Sequence, residues 1–279
     1  MGMTGETMLV ENVCQILEQF APLATAETWD NVGLLLGHPA RTVRRLMTCL
    51  TLTPAVASEA ITKNVQLIVT HHPVLFRATK SITSHTIEGR LLLDLIEARI
   101  AVYSPHTAFD NAEWGINQWL AESLGLQMIE PLRRFPSEIP GGSGRKGLFA
   151  ESHSKQEFLE KLTTIVGAKY LEVAWHGADR VRRVGFACGS AAEYLSDALE
   201  AECDTFVTGE ARFQTAVECQ SRACYLVLTG HFSSERPAVV RLARVLSEQL
   251  REVECFASEE DRNPLELFQM PHPASCSTV

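Results

Sequence analysis

His71 and His72 stand side by side at the end of an unbroken apolar run, Leu67-Ile68-Val69, within the segment QLIVTHHPVLF. Two other runs end the same way: Ile100 to Tyr103 leads to His106, and Tyr225 to Leu228 leads to His231. Each of these last two histidines has a carboxylate four residues on, Asp110 and Glu235. On a helix that spacing puts both side chains on one face. Imidazole and carboxylate without thiolate suit Zn, Fe, Mn, Ni or Co and argue against a closed structural zinc site. His71, His72, Asp110, His231 and Glu235 are therefore the candidate metal ligands. They exceed the needs of one catalytic ion, and a carboxylate can bridge, so two divalent ions per subunit are expected, ~3.5 to 4 Å apart. His106 is the candidate catalytic residue. It has three conceivable uses: a sixth ligand, a proton carrier or, the preferred reading, a group that orients Asp110.

The elements that carry these residues follow from the hydrophobic pattern. Apolar runs without polar alternation suit parallel strands covered by helices on both faces, and open sheets of that kind bind ligands beyond the carboxyl ends of their strands. Val10, Val13, Ile16, Leu17 and Phe20 predict a helix over 7–20. Leu46 to Leu52 reads as a strand, followed by a helix from Ala55 to Lys63 with Thr53 as its cap and Pro54 in its first turn. Further helices are predicted over 87–98, 115–124, 155–166 and 191–201, a long one from GHFSSERP to about Val253, and strands over 181–188 and 205–208. Pro131 to Gly147 reads as a boundary or crossover loop because proline, glycine and charge crowd there. In ETWDNVGLLLG, Trp29 reads as a core or interdomain anchor, and Asp30 with Asn31 as turn chemistry before Gly33. Gly189 and Ser190 lack phosphate-loop spacing. His38, His85, His153, His176 and His272 stand alone and read as ordinary hydrogen-bonded histidines.

Composition restricts the function classes. At 279 residues the chain is long for one core, and 46% hydrophobic against 21% charged residues supply enough apolar surface for two. No apolar run nears the ~20 residues of a membrane span, and the N-terminus lacks the basic and apolar segments of a secretory signal. A net charge of −9 argues against a general nucleic-acid partner and means that a small anionic substrate needs a metal or local cations. The eight cysteines show no CxxC or finger spacing and read as buried thiols, which places the protein in a reducing cytoplasm.

A shift of 138 positions lays Arg45 on Arg183, Ala60 on Ala198, Val69 on Val207 and Thr70 on Thr208, with Cys49 one place short of Cys188. Both units read strand, turn, helix, strand. The fold expected is α/β, with two similar domains, mainly parallel central sheets flanked by helices, and the metal site between them. The first domain would be 1–132 with 230–279, and the second 133–229; Glu210 then takes the place that His72 has in the first.

WDNVGLLLG, LIVTHHPVLF, SPHTAFDNAEWGIN, TFVTGE and TGHFSSE resemble, in order, the signature blocks of the Nif-three-like family, also labelled GTP cyclohydrolase 1 type 2 or dinuclear metal centre proteins. The chain is similar to the shorter form, without the additional middle domain. The resemblance implies paired α/β domains, a ring-like homohexamer and a dinuclear site facing an inner cavity, with the ligands falling on the five residues named above. It departs from the family at Thr51, where an acidic residue is usual, and at Arg212, Phe213 and Gln214, where histidine is common. The function implied is a metal-dependent hydrolase acting through a metal-bound hydroxide on a nucleotide or small phosphorylated or heterocyclic substrate. The alternative is non-catalytic metal storage, delivery or a regulatory scaffold.

Overall fold

The computed structural model describes residues 7–136, 139–175 and 179–268. Its strands are β1 (Gly33–Leu36), β2 (Arg45–Cys49), β3 (Leu67–Thr70), β4 (Ala101–Ser104), β5 (Gln127–Glu130), β6 (Arg133–Arg134), β7 (Gly142–Ser143), β8 (Arg145–His153), β9 (Glu172–Ala174), β10 (Val181–Ala187), β11 (Thr205–Thr208), β12 (Tyr225–Leu228) and β13 (Glu254–Ala257). They form two sheets and a small ribbon. The first sheet runs β1-β4-β3-β2-β13 and is parallel except at β1. The second runs β5-β8-β10-β11-β12-β9, with β10, β11 and β12 parallel at its centre and antiparallel strands outside them. Strands β6 and β7 pair with each other.

The helices are α1 (Val10–Phe20), α2 (Pro54–Thr62), α3 (Ile87–Glu97), α4 (His106–Asn111), α5 (Ile116–Leu124), α6 (Lys155–Val166), α7 (Leu195–Glu200), α8 (Phe213–Ser221) and α9 (His231–Gln249). Local chemistry sets several ends. Thr53 caps α2 through the Val56 amide ahead of Pro54, and Ser154 with Glu157 forms a capping box on α6, which stops at left-handed Gly167. Leu120, Leu162 and Leu242, from α5, α6 and α9, share one continuous core with Leu67 and Tyr103 of the first sheet and Val184 and Val227 of the second. α2 and α3 cover the other face of the first sheet, and α7 and α8 the other face of the second. The architecture is thus α/β with two helix-flanked sheets facing each other across shared helices. No helix among the described residues is long and apolar enough to cross a membrane.

The 138-residue correspondence reappears pair by pair. Leu46 pairs Leu67 as Val184 pairs Thr205, and Cys49 pairs Thr70 as Ala187 pairs Thr208. Arg45 donates to the Lys63 carbonyl and Arg183 to the Ala201 carbonyl, while Gln66 and Asp204 accept from the backbone of residues 44–45 and 182–183.

Several local expectations change. The 131–147 stretch contains the β6–β7 ribbon and the start of β8, and it buries Arg145, which donates to the carbonyls of Ala112, Gly142 and Gly144 and to Gln118. Charge here marks an internal clamp as well as a crossover. The last helix ends at Gln249, and the chain returns as β13 beside β2. The helix over 191–201 is a 3-10 turn, Ala192–Tyr194, followed by α7. The hydrophobic pattern does not predict β1, β5, β8, β9, β13 or α8. Except β8, these strands lie at sheet edges, where a short half-exposed strand leaves little apolar signature. Pairing puts β5 in the second sheet, so that sheet begins at Gln127.

Candidate metal centre

His71 and His72 extend the parallel ladder of β2 and β3: their amides donate to the carbonyls of Cys49 and Leu50, both at 2.9 Å. Strand alternation then sends the two rings different ways, His71 into the interior and His72 toward the crevice between the sheets. Ser104, the last residue of β4, holds the His71 carbonyl at 2.7 Å. His106 and His231 are the first residues of α4 and α9, so Asp110 and Glu235 each follow by one helical turn. Gly230, at φ +81°, makes the bend from β12 into α9.

The carboxylate of Glu235 sits at the centre. Its Oε2 lies 3.1 Å from Nε2 of both His72 and His231, and those two nitrogens are 3.3 Å apart. Its Oε1 faces the other side, 3.9 Å from Nε2 of His71, which is 3.5 Å from Oδ1 of Asp110. The five expected ligands line one crevice beyond strands of both sheets: His72, His231 and Glu235 form a group able to hold a metal, and Asp110 lies against His71. His106 has a ligand atom within 4.8 Å of those of His71 and His72. Donors on one ion at about 2.1 Å sit about 3.0 to 3.4 Å from one another, which is the spacing around Oε2.

The electrostatics agree with that donor set. His71 is 2% exposed, and neither ring nitrogen has a hydrogen-bond partner among the described residues. Burial pushes its pKa well down, so the ring is neutral and carries a lone pair. Burial, with Glu235 nearby, pushes Asp110 up to about 7. Glu235 is lowered because hydrogen bonds from His231 and His72 outweigh its burial, and its bond raises His231 to about 9. Two carboxylates on either side of one imidazole are the charge arrangement that a cation relieves.

Cys188 and Asn117, whose part sequence reasoning passed over, complete the walls with Gly189, Thr51 and Glu210. The Cys188 thiol, pushed well up by burial, donates to Oδ1 of Asp110 at 3.3 Å. Asn117 ties the Cys188 amide to the Asp110 carbonyl. A Cβ on Gly189, at φ +68°, would stand 2.3 Å from Oε1 of Glu235, so the crevice requires glycine there. Thr51 places its hydroxyl 2.8 Å from Nδ1 of His72, where the family pattern has a carboxylate. Glu210 reaches His231, Oε2 to Nδ1 at 3.5 Å. The repeat points to Glu210 and the family blocks to Thr51, but no period or motif flags Asn117 or the Cys188 thiol, because their contacts join turns distant in sequence.

Three expectations are corrected here. His106 does not bond Asp110 among the described contacts; its Nδ1 is held by Asp30 at 2.8 and 2.9 Å. Asp30 is more than turn chemistry: it accepts the Asn31 amide, but its side chain is fully buried, and bonds from His106 and Thr107 outweigh burial and hold it at about 2. Trp29 is 60% exposed and packs edge-on against Phe76 and His106, forming a rim instead of a core anchor. Of the solitary histidines, His153 stacks on Phe149, while His176 and His272 lie outside the described residues.

The comparisons extend over the whole arrangement. Residues 8–264 match the family model Duf34/NIF3 (NGG1p interacting factor 3). A NIF3-like protein 1 from Drosophila melanogaster is 33% identical over 258 residues, covering 91% of this chain and 87% of that one. A GTP cyclohydrolase 1 type 2 homolog from Clostridium perfringens is 29% identical, covering 94% and 100%. Among solved structures, a Bacillus cereus protein related to NIF3 superposes with a TM-score of 0.84 at 20% identity, over 95% of this chain and all of that one, and shows the fold. With five family blocks in order, the matching two-sheet architecture and a profile match over nearly its full length, this chain belongs to the Duf34/NIF3 family.

Proposed function

We propose that the crevice is a dinuclear divalent-metal centre and that the protein is a metal-dependent hydrolase for a nucleotide or another small phosphorylated or heterocyclic substrate. The observation that carries this reading is His71, a buried neutral imidazole without a hydrogen-bond partner among the described residues, faced at 3.5 and 3.9 Å by two carboxylates. Both distances are long for hydrogen bonds, and the 3.5 Å one is close to the spacing of two donors on one ion. His72, His231 and Oε2 of Glu235 would hold one ion; His71, Asp110 and Oε1 of Glu235 would hold the other. Ions bound there supply Lewis acidity and an activated water.

The chain's own residues divide the remaining work. Glu235 spans both positions and fixes their separation. His106 faces the crevice as the group able to move a proton. A cavity of about 170 Å³ adjoins the centre, walled by Trp29, Asn117, Ser190 and Tyr194. Among the described residues neither lysine nor arginine lines it, so a phosphate would have to be held by the ions and the uncharged part of a substrate by these walls. The name of the clostridial relative puts nucleotides at the head of a substrate panel.

The test is to load purified protein with Mn, Zn, Fe or Co and screen nucleotides and phosphoesters against the parent and Asp110→Ala. Turnover in the parent and loss of both metal and turnover in the variant are expected; equal activity overturns the assignment. Metal uptake without turnover across the panel would make the protein a storage or delivery protein instead. The assembly proposed is a homohexamer with the centres facing inward, and a monomer by light scattering overturns that part.

A further inference from the structure

We infer that Asp30 is the positioning residue that locks His106 in its Nδ1–H tautomer, leaving the Nε2 lone pair facing the crevice to take up a proton. This rests on the hydrolase reading above for its purpose, and on the geometry of Asp30 for its substance. Oδ1 of Asp30 lies 2.8 Å from Nδ1 of His106 and accepts the Asn31 amide at 2.8 Å. Oδ2 accepts the Thr107 amide at 3.1 Å and the Thr107 hydroxyl. A carboxylate has acceptors only, so the proton between it and the ring belongs to Nδ1. The nitrogen across the ring is then bare, and His106 lines the cavity beside Asp110.

Two further observations indicate that the pairing is built and not incidental. His106 has φ +24°, a left-handed conformation that a residue with a side chain adopts only when its surroundings impose it. Here the bonds of Asp30 to consecutive residues, His106 and Thr107, impose it. Trp29 and Phe76 both pack edge-on against the ring at 6.1 Å, limiting its reorientation and its access to solvent. In the step this permits, the O–H bond of a reacting water breaks as its oxygen bonds the electrophilic atom of the substrate and its proton bonds Nε2; the imidazolium is stabilised by Asp30 until the bond from that atom to the leaving group breaks. The same proton is later returned to the leaving group, so the dyad ends as it began.

Neutron diffraction of the metal-loaded parent and of Asp30→Asn tests this at any oligomeric size. In the variant either placement of the carboxamide sets its NH2 against a backbone amide that the carboxylate accepts, that of Asn31 or of Thr107, so Nδ1 loses its fixed acceptor and the proton moves to Nε2. The expected result is deuterium on Nδ1 alone in the parent and on Nε2 in the variant, with equal metal content by elemental analysis. Where the substrate panel yields turnover, the variant is expected to lose it about a thousand-fold or more. Deuterium on Nε2 in the parent, or retention on Nδ1 in Asp30→Asn, overturns the inference. A parent that takes up no metal defeats the metal reading alone, because the tautomer is still read directly.

Discussion

At the scale of single residues, the centre is marked by what its members lack. An imidazole buried without a hydrogen-bond partner among the described residues costs about 1 to 3 kcal/mol, which an ion at His71 would offset. His71→Leu is accordingly expected to be neutral or stabilising in metal-stripped protein and destabilising in loaded protein, as read by denaturant titration of both forms. The same sign in both forms would show that His71 is no ligand. Gly189 gives a complementary test from the opposite wall. In Gly189→Ala the new methyl must displace Glu235, so metal affinity is expected to fall about ten-fold or more, measured by competition with a chromophoric chelator. Unchanged affinity would show that Glu235 does not hold the ion through Oε1.

At the scale of elements, two buried charges connect segments far apart in sequence. Glu59 on α2 accepts from Lys63, from Ser258 and from the amides of Glu259 and Glu260, so it joins α2 to the chain after β13. Burial raises its pKa, but these bonds prevail and bring it to about 2. A carboxyl lowered on folding contributes stability above its unfolded pKa of about 4.3, and that contribution is lost as pH falls toward the folded value. Stability is therefore expected to decline between about pH 4.5 and 2 by about 3 kcal/mol from this group, and Glu59→Gln to remove that part of the decline in acid titrations followed by circular dichroism. Arg145 makes the second connection, joining the Ala112 turn after α4 to the 142–144 turn before β8. Arg145→Leu would leave three carbonyls without their donor, and a loss of about 3 kcal/mol or more is expected in chemical denaturation.

At the scale of the whole molecule, the centre draws its ligands from the carboxyl ends of strands in both sheets, so ions bound there tie the two halves together. Ligands binding only the folded state stabilise it by mass action, about 2.7 kcal/mol at a hundred-fold excess over Kd. Saturating metal is expected to raise Tm by about 5 °C or more and chelation to reverse it in calorimetry, with both halves melting together in the loaded state. Loaded and stripped protein melting alike would separate the centre from the stability of the fold.

The candidate residues that the fold gathers in the crevice were legible in the sequence because each lies directly beyond an apolar strand run, or one helical turn later, and parallel strands buried on both faces have a pattern that reads without coordinates. The internal 138-residue correspondence was visible for the same reason: both copies repeat the apolar strands and the arginine that closes the turn. Asp30 beneath His106, Trp29 on the rim, Arg145 in the interior and Thr51 on His72 emerged only from the tertiary structure. A charge or an indole in a loop has the same local signature whether it faces water or a distant turn, and long-range packing alone decides between them.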